Sequence, residues 1–241
     1  AEDGIRDRDV TGVQTCALPI FEGSGPPLLI VHGTGDTQRG WRRLRPLLSP
    51  HFTLYLMDRR GRGVSGDKDD YALEREWEDV AALIDALPEP ANVFAHSFGA
   101  MCALEGALLA RGLRRLCVYE PSVNRNTGNP RREATIDEMA RLIALGDREA
   151  VVSIHLRNII NASEETIAKQ REQREAWSAR LAMAHTMPRE LVALRHYRFD
   201  AARFGALKVP VRVLLGEKSA GHGPQTAQSL VEAVPGAELR S

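Results

Sequence analysis

Phe94-Ala95-His96-Ser97-Phe98-Gly99-Ala100 is the stretch on which the fold of this chain turns. Asn92 to Ala95 reads as a strand, and Phe98 to Arg111 as a mostly apolar helix stopped by Gly112. A strand that bends at once into a helix forces its central residue into strained φ/ψ and lifts that side chain clear of the sheet. Here the lifted side chain is the Ser97 hydroxyl. Small neighbours are required because the chain packs against itself at such a bend. The usual pattern is Gly-x-Ser-x-Gly, and Ala95 holds the first glycine place, a departure of one methyl group. The helix that starts after Ser97 points backbone N–H groups toward any oxyanion forming there. The bland alternative is a serine favoured simply as a helix N-cap.

Working outward, Leu28-Leu-Ile-Val31 is continuously apolar and ends in His32-Gly33, as a strand buried on both faces should. Trp41 to Leu48 reads as a short helix and Phe52 to Met57 as a strand. The turn Asp58-Arg-Arg-Gly-Arg-Gly63 follows. Leu73, Trp77, Val80, Ile84 and Leu87 then form one helical stripe, with Glu74, Arg75, Glu78 and Asp85 off it. Leu116 to Tyr119 is another strand. From about residue 124 to 205 only helical stretches occur, among them Glu164 to Ala184 with Ile167, Trp177 and Leu181 facing inward. Val209 to Leu215 restores a strand, Thr226 to Val234 a helix, and Ala237 to Arg240 the start of a last strand. This alternation predicts an α/β fold with a mostly parallel sheet and a helical insertion before the penultimate strand.

The 241 residues carry 32 Lys+Arg against 32 Asp+Glu, so the charge balance offers no case for a nucleic-acid or acidic-membrane partner. No apolar run has the length of a membrane span, and the opening residues do not read as a secretory signal. Cys16, Cys102 and Cys117 are odd in number and too scattered for a disulfide framework or a metal knuckle. The composition therefore predicts a soluble, cytoplasmic, single-domain chain and does not say what it does; the motifs lead to the expectation of a small-molecule substrate with no metal and no cofactor, and the oligomeric state is left open. A dinucleotide loop at Gly33-Thr34-Gly35 would need a third glycine where Gln38 stands. Val10 to Ile20 fits neither period and resembles the translation of a sequencing-adapter oligonucleotide. Residues 1–20 are accordingly expected to be a foreign or disordered leader. Residues 21–123 and 206–241 then form the core, and 124–205 a helical cap. Early strands and the C-terminal end are expected to be missing.

Three segments in order carry a resemblance: His32-Gly-Thr-Gly-Asp36, Asp58-Arg-Arg-Gly-Arg-Gly-Val-Ser-Gly66, and Ala95-His-Ser-Phe-Gly99, each following a strand. Together they resemble the α/β-hydrolase fold family, in its small helical-cap serine hydrolase form, over nearly all of residues 21–241. The resemblance implies a nucleophile elbow at Ser97 and an oxyanion hole from the amides near Gly33-Thr34 and at Phe98. It also implies that the Asp58-to-Gly66 turn shapes the site from below. A serine nucleophile needs a base and a carboxylate to orient that base. The family usually places its acid in Gly-x-x-Asp after the cap, where this chain reads Gly216-Glu217-Lys218-Ser219. Glu120, at the end of the strand Leu116 to Tyr119, is the favoured replacement, and Glu217 the other. The competing view of Glu120 is a carboxylate paired with Arg125.

The family's histidine follows the last strand, so it is expected to be absent from this fragment. His222 reads as a surface residue, and His155, His185 and His196 fall in the cap. His32 is read as structural beside the oxyanion loop. His32, His96 and Trp177 are also expected near the substrate pocket, with Ile159, Ile160, Leu181, Met183 and Met187 as possible cap lining. The function that follows is hydrolysis of a small ester-like substrate through an acyl-enzyme on Ser97. The alternatives are a non-catalytic ligand-binding protein on the same fold and an inactive truncated gene product.

Overall fold

The computed structural model describes residues 20–123, 129–217, 219 and 223–241. Val10 to Pro19, Cys16, Arg125, Lys218 and His222 lie outside them. Seven strands form one sheet: β1 (Ile20–Gly23), β2 (Pro27–Val31), β3 (Thr53–Met57), β4 (Ala91–His96), β5 (Leu113–Tyr119), β6 (Val211–Leu214) and β7 (Glu238–Arg240). Their spatial order is β1-β3-β2-β4-β5-β6-β7. All neighbours are parallel except β1, which runs antiparallel along β3 with Ile20 opposite Leu56. Every residue of β2 is buried, the expected consequence of a parallel strand covered on both faces. The helices are α1 (Arg45–Leu48), α2 (Leu73–Ala86), α3 (Ser97–Ala107), α4 (Pro130–Ala144), α5 (Arg148–Ile154), α6 (Glu164–Glu172), α7 (Arg174–Ala182), α8 (Thr186–His196), α9 (Ala201–Phe204) and α10 (Gly223–Ala233). Among the described residues no helix is long and apolar enough to cross a membrane.

The described chain divides into two compact units. The first holds the sheet, residues up to Gly33, Thr37–Arg125 and Arg198–Ser241; the second holds Thr34–Asp36 with Asn126–Tyr197. Residues 198–205, assigned to the cap by their sequence, cluster with the sheet unit, where Phe204 is fully buried.

In the sheet unit α2 buries more than the stripe of its sequence. Leu73, Val80 and Ile84 are buried, but so are Glu76 and Asp79. The reason is the arginine turn after β3. Arg59, Arg62 and Glu76 have fully buried side chains, and both guanidinium groups lie 3.4 Å from the Glu76 carboxylate. Arg60 forms a bidentate pair with Asp79 at 2.8 and 2.9 Å and is bonded to the Arg75 carbonyl at 3.1 Å. Asp58 accepts the Gln38 and Val64 amides at 2.8 and 3.3 Å, which closes the turn on itself. Charges drawn out of water this way must be paired.

The second unit has its own core, in which Ile136, Met139, Val151, Val152, Ile167, Ala184 and Met187 are fully buried. Trp177 is held there by a 2.8 Å bond from its indole N–H to Glu149. At the centre lies His155, 2% exposed. Neither of its ring nitrogens has a hydrogen-bond partner among the described residues. Burial, followed by the charges of Arg180 and Arg132, pushes its pKa down to about 3, so it is neutral in the folded chain.

Two outcomes follow. Glu76→Ala leaves two buried guanidinium groups without their carboxylate and should lower unfolding free energy by about 3–5 kcal/mol in urea titration. His155 bears on pH. The unfolded chain takes up a proton below its ordinary pKa of 6.5 that the folded chain refuses, so stability falls as pH drops from 6.5 toward 3. Between pH 7 and pH 5 that loss is about 2 kcal/mol from this one group. His155→Phe should show a correspondingly smaller difference between its two urea midpoints.

Candidate active site

The junction of β4 and α3 is where the sequence expects it. Ser97 has φ +55°, a left-handed conformation that non-glycine residues rarely hold, and it is half-buried at the carboxyl end of β4. It is not a cap: the N-cap position is His96, which makes no side-chain capping bond. The bend is possible because Gly99 lies against β2. A Cβ on Gly99 would overlap the His32 carbonyl oxygen. Gly33 is also close, since a Cβ there would lie 3.0 Å from Ser97 Cβ. Of the expected oxyanion residues, Gly33 thus lies against the serine and Phe98 follows it in the chain. Thr34 belongs to the second unit, where Gly35 sits against Met187 and the His155 ring.

Among the described residues the partner of Ser97 Oγ is the Ser122 hydroxyl, at 3.1 Å. The same pair is linked through the backbone, with the Ser122 N–H donating to the Ser97 carbonyl at 3.1 Å. Ser122 was missed by sequence reasoning. Nothing in Glu120-Pro-Ser-Val123 signals that this segment folds back onto a bend some 25 residues earlier.

His32 has a purely structural place, not the substrate contact its position allowed. It is fully buried; its Nδ1–H donates to the Gly33 carbonyl at 2.9 Å and its Nε2 accepts the Arg59 amide at 3.1 Å. Burial, then the charges of Arg59 and Arg62, holds its pKa well below the usual range, so the ring stays neutral. Arg59 continues the chain of contacts. Its guanidinium donates to the Gly33 carbonyl at 3.3 Å and lies 4.6 Å over the Phe98 ring. His96 stacks on Tyr119 at 5.2 Å and meets Trp41 edge-on at 6.3 Å, which makes its ring a wall beside the serine. Trp177 is buried in the second unit with Arg171 over its ring at 5.5 Å. Of the possible lining residues, Met183 and Met187 are buried there and Ile160 is 55% exposed.

Glu120 lies one residue beyond β5 with φ +46°. Its amide donates to the Leu214 carbonyl at 3.0 Å, carrying the β5–β6 ladder one step further. Its carboxylate accepts the Ser219 hydroxyl, and the Gly216 amide at 3.3 Å. Glu217, the other candidate acid, is exposed. Ser97, Glu120 and Gly216 thus succeed one another along the carboxyl ends of β4, β5 and β6, because His96 pairs with Tyr119 and Tyr119 with Leu214. A strained hydroxyl at the end of β4 and a carboxylate held at the end of the adjacent β5 are groups that acyl-transfer chemistry can use. Among the described residues no group of three or more His, Cys, Asp or Glu could hold a metal ion.

Comparison with known proteins identifies the family of this fold. A family model described as the alpha/beta hydrolase family matches residues 28–240. An alpha/beta hydrolase from Sphaerobacter thermophilus is similar with a TM-score of 0.78 and 34% identity, over 92% of this chain and 87% of that one. A pimeloyl-(acyl-carrier protein) methyl ester esterase from Methylococcus capsulatus is 36% identical over 90 residues, 37% of this chain and 34% of the relative. An N-formylmaleamate deformylase from Pseudomonas putida is 32% identical over 108 residues, 43% of this chain and 40% of the relative. The chain thus spans well under two thirds of the length of these curated relatives.

The strain at Ser97 is measurable. Glycine relieves a left-handed φ and alanine does not, so Ser97→Gly should be more stable than Ser97→Ala by about 1 kcal/mol in urea unfolding.

Proposed function

The chain belongs to the alpha/beta hydrolase family, and on that premise we propose that it cleaves small ester-like substrates through an acyl-enzyme on Ser97. The observation that carries this reading is the left-handed serine at the strand-to-helix bend, half-buried at the sheet rim with Gly33 packed against it and Phe98 next in the chain. A serine with only an N-capping or packing duty has no need of that conformation, and strain of this kind collects at functional sites. The relatives' own activities, an ester cleavage and a deformylation, are both acyl transfers to water.

In the proposed reaction Ser97 Oγ attacks the substrate carbonyl carbon while its proton passes to a histidine, which the family resemblance places after the last strand. Glu120 orients that histidine and stabilises the imidazolium it becomes. The negative charge that develops on the carbonyl oxygen is met by the Phe98 amide, at the open first turn of α3, and by an amide of the Gly33–Thr34 loop. The histidine returns its proton to the leaving alcohol. Water, deprotonated by the same histidine, then releases the acid and restores Ser97. The Ser122 hydroxyl holds Ser97 Oγ in the resting site and yields it to the incoming carbonyl. No cofactor enters this chemistry. The evenly balanced charge suits a small-molecule substrate better than a polyanion.

A fluorophosphonate probe tests the nucleophile directly. Peptide mapping by mass spectrometry should find the adduct on Ser97, and Ser97→Ala should be unlabelled and lose p-nitrophenyl acetate hydrolysis. Labelling that persists in Ser97→Ala would overturn the assignment.

A further inference from the structure

We propose that Ser219 is a positioning residue for the Glu120 carboxylate, and so sets the geometry of the proton transfer without touching substrate. The inference rests on the reading of Glu120 as the orienting acid. Three observations converge on it. The left-handed backbone at Glu120 turns its side chain toward the loop after β6. There the Ser219 hydroxyl and the Gly216 amide both donate to one oxygen, Oε1. Gly216 is placed so that a Cβ on it would lie 3.1 Å from Glu120 Oε1, 3.1 Å from Ser219 Oγ and 3.3 Å from the Tyr119 hydroxyl. The loop approaches the carboxylate as closely as a glycine backbone allows.

The turn itself does not need the Ser219 side chain. It is closed by the Ser219 amide, which donates to the Gly216 carbonyl at 2.9 Å. The hydroxyl is directed instead at a charged group at the catalytic rim. A glutamate has one more rotatable bond than an aspartate, so a strand-end glutamate that must aim a histidine has to be immobilised from outside. Two donors on Oε1 fix the plane of the carboxylate, and with it the direction in which Oε2 points. The Tyr119 hydroxyl, whose pKa is pushed up by burial and then by the Glu120 charge, adds a third polar neighbour.

The experiment, run on this chain together with any reading frame that follows it, compares the parent protein with Ser219→Ala, Ser219→Thr, Glu120→Gln, Glu120→Ser, the exchange Glu120→Ser/Ser219→Asp, and Ser97→Ala. The readouts are kcat and KM for p-nitrophenyl acetate and the rate of fluorophosphonate labelling at Ser97. Ser219→Ala should lower kcat and the labelling rate by about tenfold with KM nearly unchanged, the effect of losing a hydrogen bond to a charged group. Ser219→Thr keeps the hydroxyl and should retain most of the rate. The exchange should recover about tenfold over Glu120→Ser alone, because the two side chains share one contact and either can bring the carboxylate to it. The proposal is overturned if Ser219→Ala matches the parent chain while Glu120→Gln is impaired, or if Ser219→Thr falls as far as Ser219→Ala. An unimpaired Glu120→Gln removes the acid assignment beneath it. An unimpaired Ser97→Ala, or a parent protein neither labelled nor active, removes the Ser97 acyl-enzyme reading as well.

Discussion

The contact on which the sheet rim depends is the one between the Glu76 carboxylate and the two fully buried guanidinium groups of Arg59 and Arg62. Taking three charges out of water carries a large penalty, and apolar side chains of the same volume would often stabilise a domain as well or better. What the charges provide is placement. Arg59 reaches from the turn after β3 to the Gly33 carbonyl after β2, and it lies against the Phe98 ring after β4. Its own amide is bonded to His32. Two loops and the first turn of α3, which follow three neighbouring strands, are therefore tied to a single carboxylate on α2. The loop after β2 holds Gly33, which lies against Ser97. An apolar core could press the same loops together, but it could not fix the direction of a carbonyl, and hence of the peptide planes around it.

This arrangement explains which parts of the molecule were legible in the sequence. β2, β4 and α3 were readable because their signals are local: an unbroken apolar run, a small-residue bend, a helix apolar all round. The expectation of strain at Ser97 followed from the bend alone and is met by its φ of +55°. β1 gave no such signal. It is four residues long and exists through its antiparallel pairing with β3 some thirty residues away. Glu76 and Asp79 interrupt the apolar reading of α2, since helical periodicity recognises buried leucines but not a buried carboxylate whose arginine lies in a distant turn. The reading of His32 as structural is matched by burial of its ring and by backbone bonds to both of its nitrogens. The contacts of Ser122 and Ser219 were illegible for a common reason. Each meets its partner only because parallel strands bring their carboxyl ends side by side, at sequence separations of 25 and 99 residues.

The two strained residues of the rim show how such a site keeps its shape. Ser97 and Glu120 both occupy left-handed backbone, at the ends of adjacent strands, and each conformation costs on the order of 1–3 kcal/mol if nothing compensates it. Each is clamped in the same way. A backbone bond fixes the strained peptide: Ser122 N–H to the Ser97 carbonyl, and Glu120 N–H to the Leu214 carbonyl. A serine hydroxyl then meets the side chain that the strain has re-aimed: Ser122 at Ser97 Oγ, Ser219 at Glu120 Oε1.

The repetition has a physical logic. A left-handed residue at a strand end redirects its side chain sideways along the rim, toward the next strand, whereas an extended residue would send it up or down through the sheet. Groups on separate strands can then face one another at rim level without any long loop between them. The cost is that a redirected side chain leaves the packed interior that would otherwise fix its rotamer. Hydroxyls suit the gap this creates. They are small enough for the crowded rim, and they can donate to a carboxylate or share a proton with another hydroxyl as the partner requires. Serine beside serine and serine beside glutamate are thus two solutions to one constraint, set by strands that must end together while their functional groups point across.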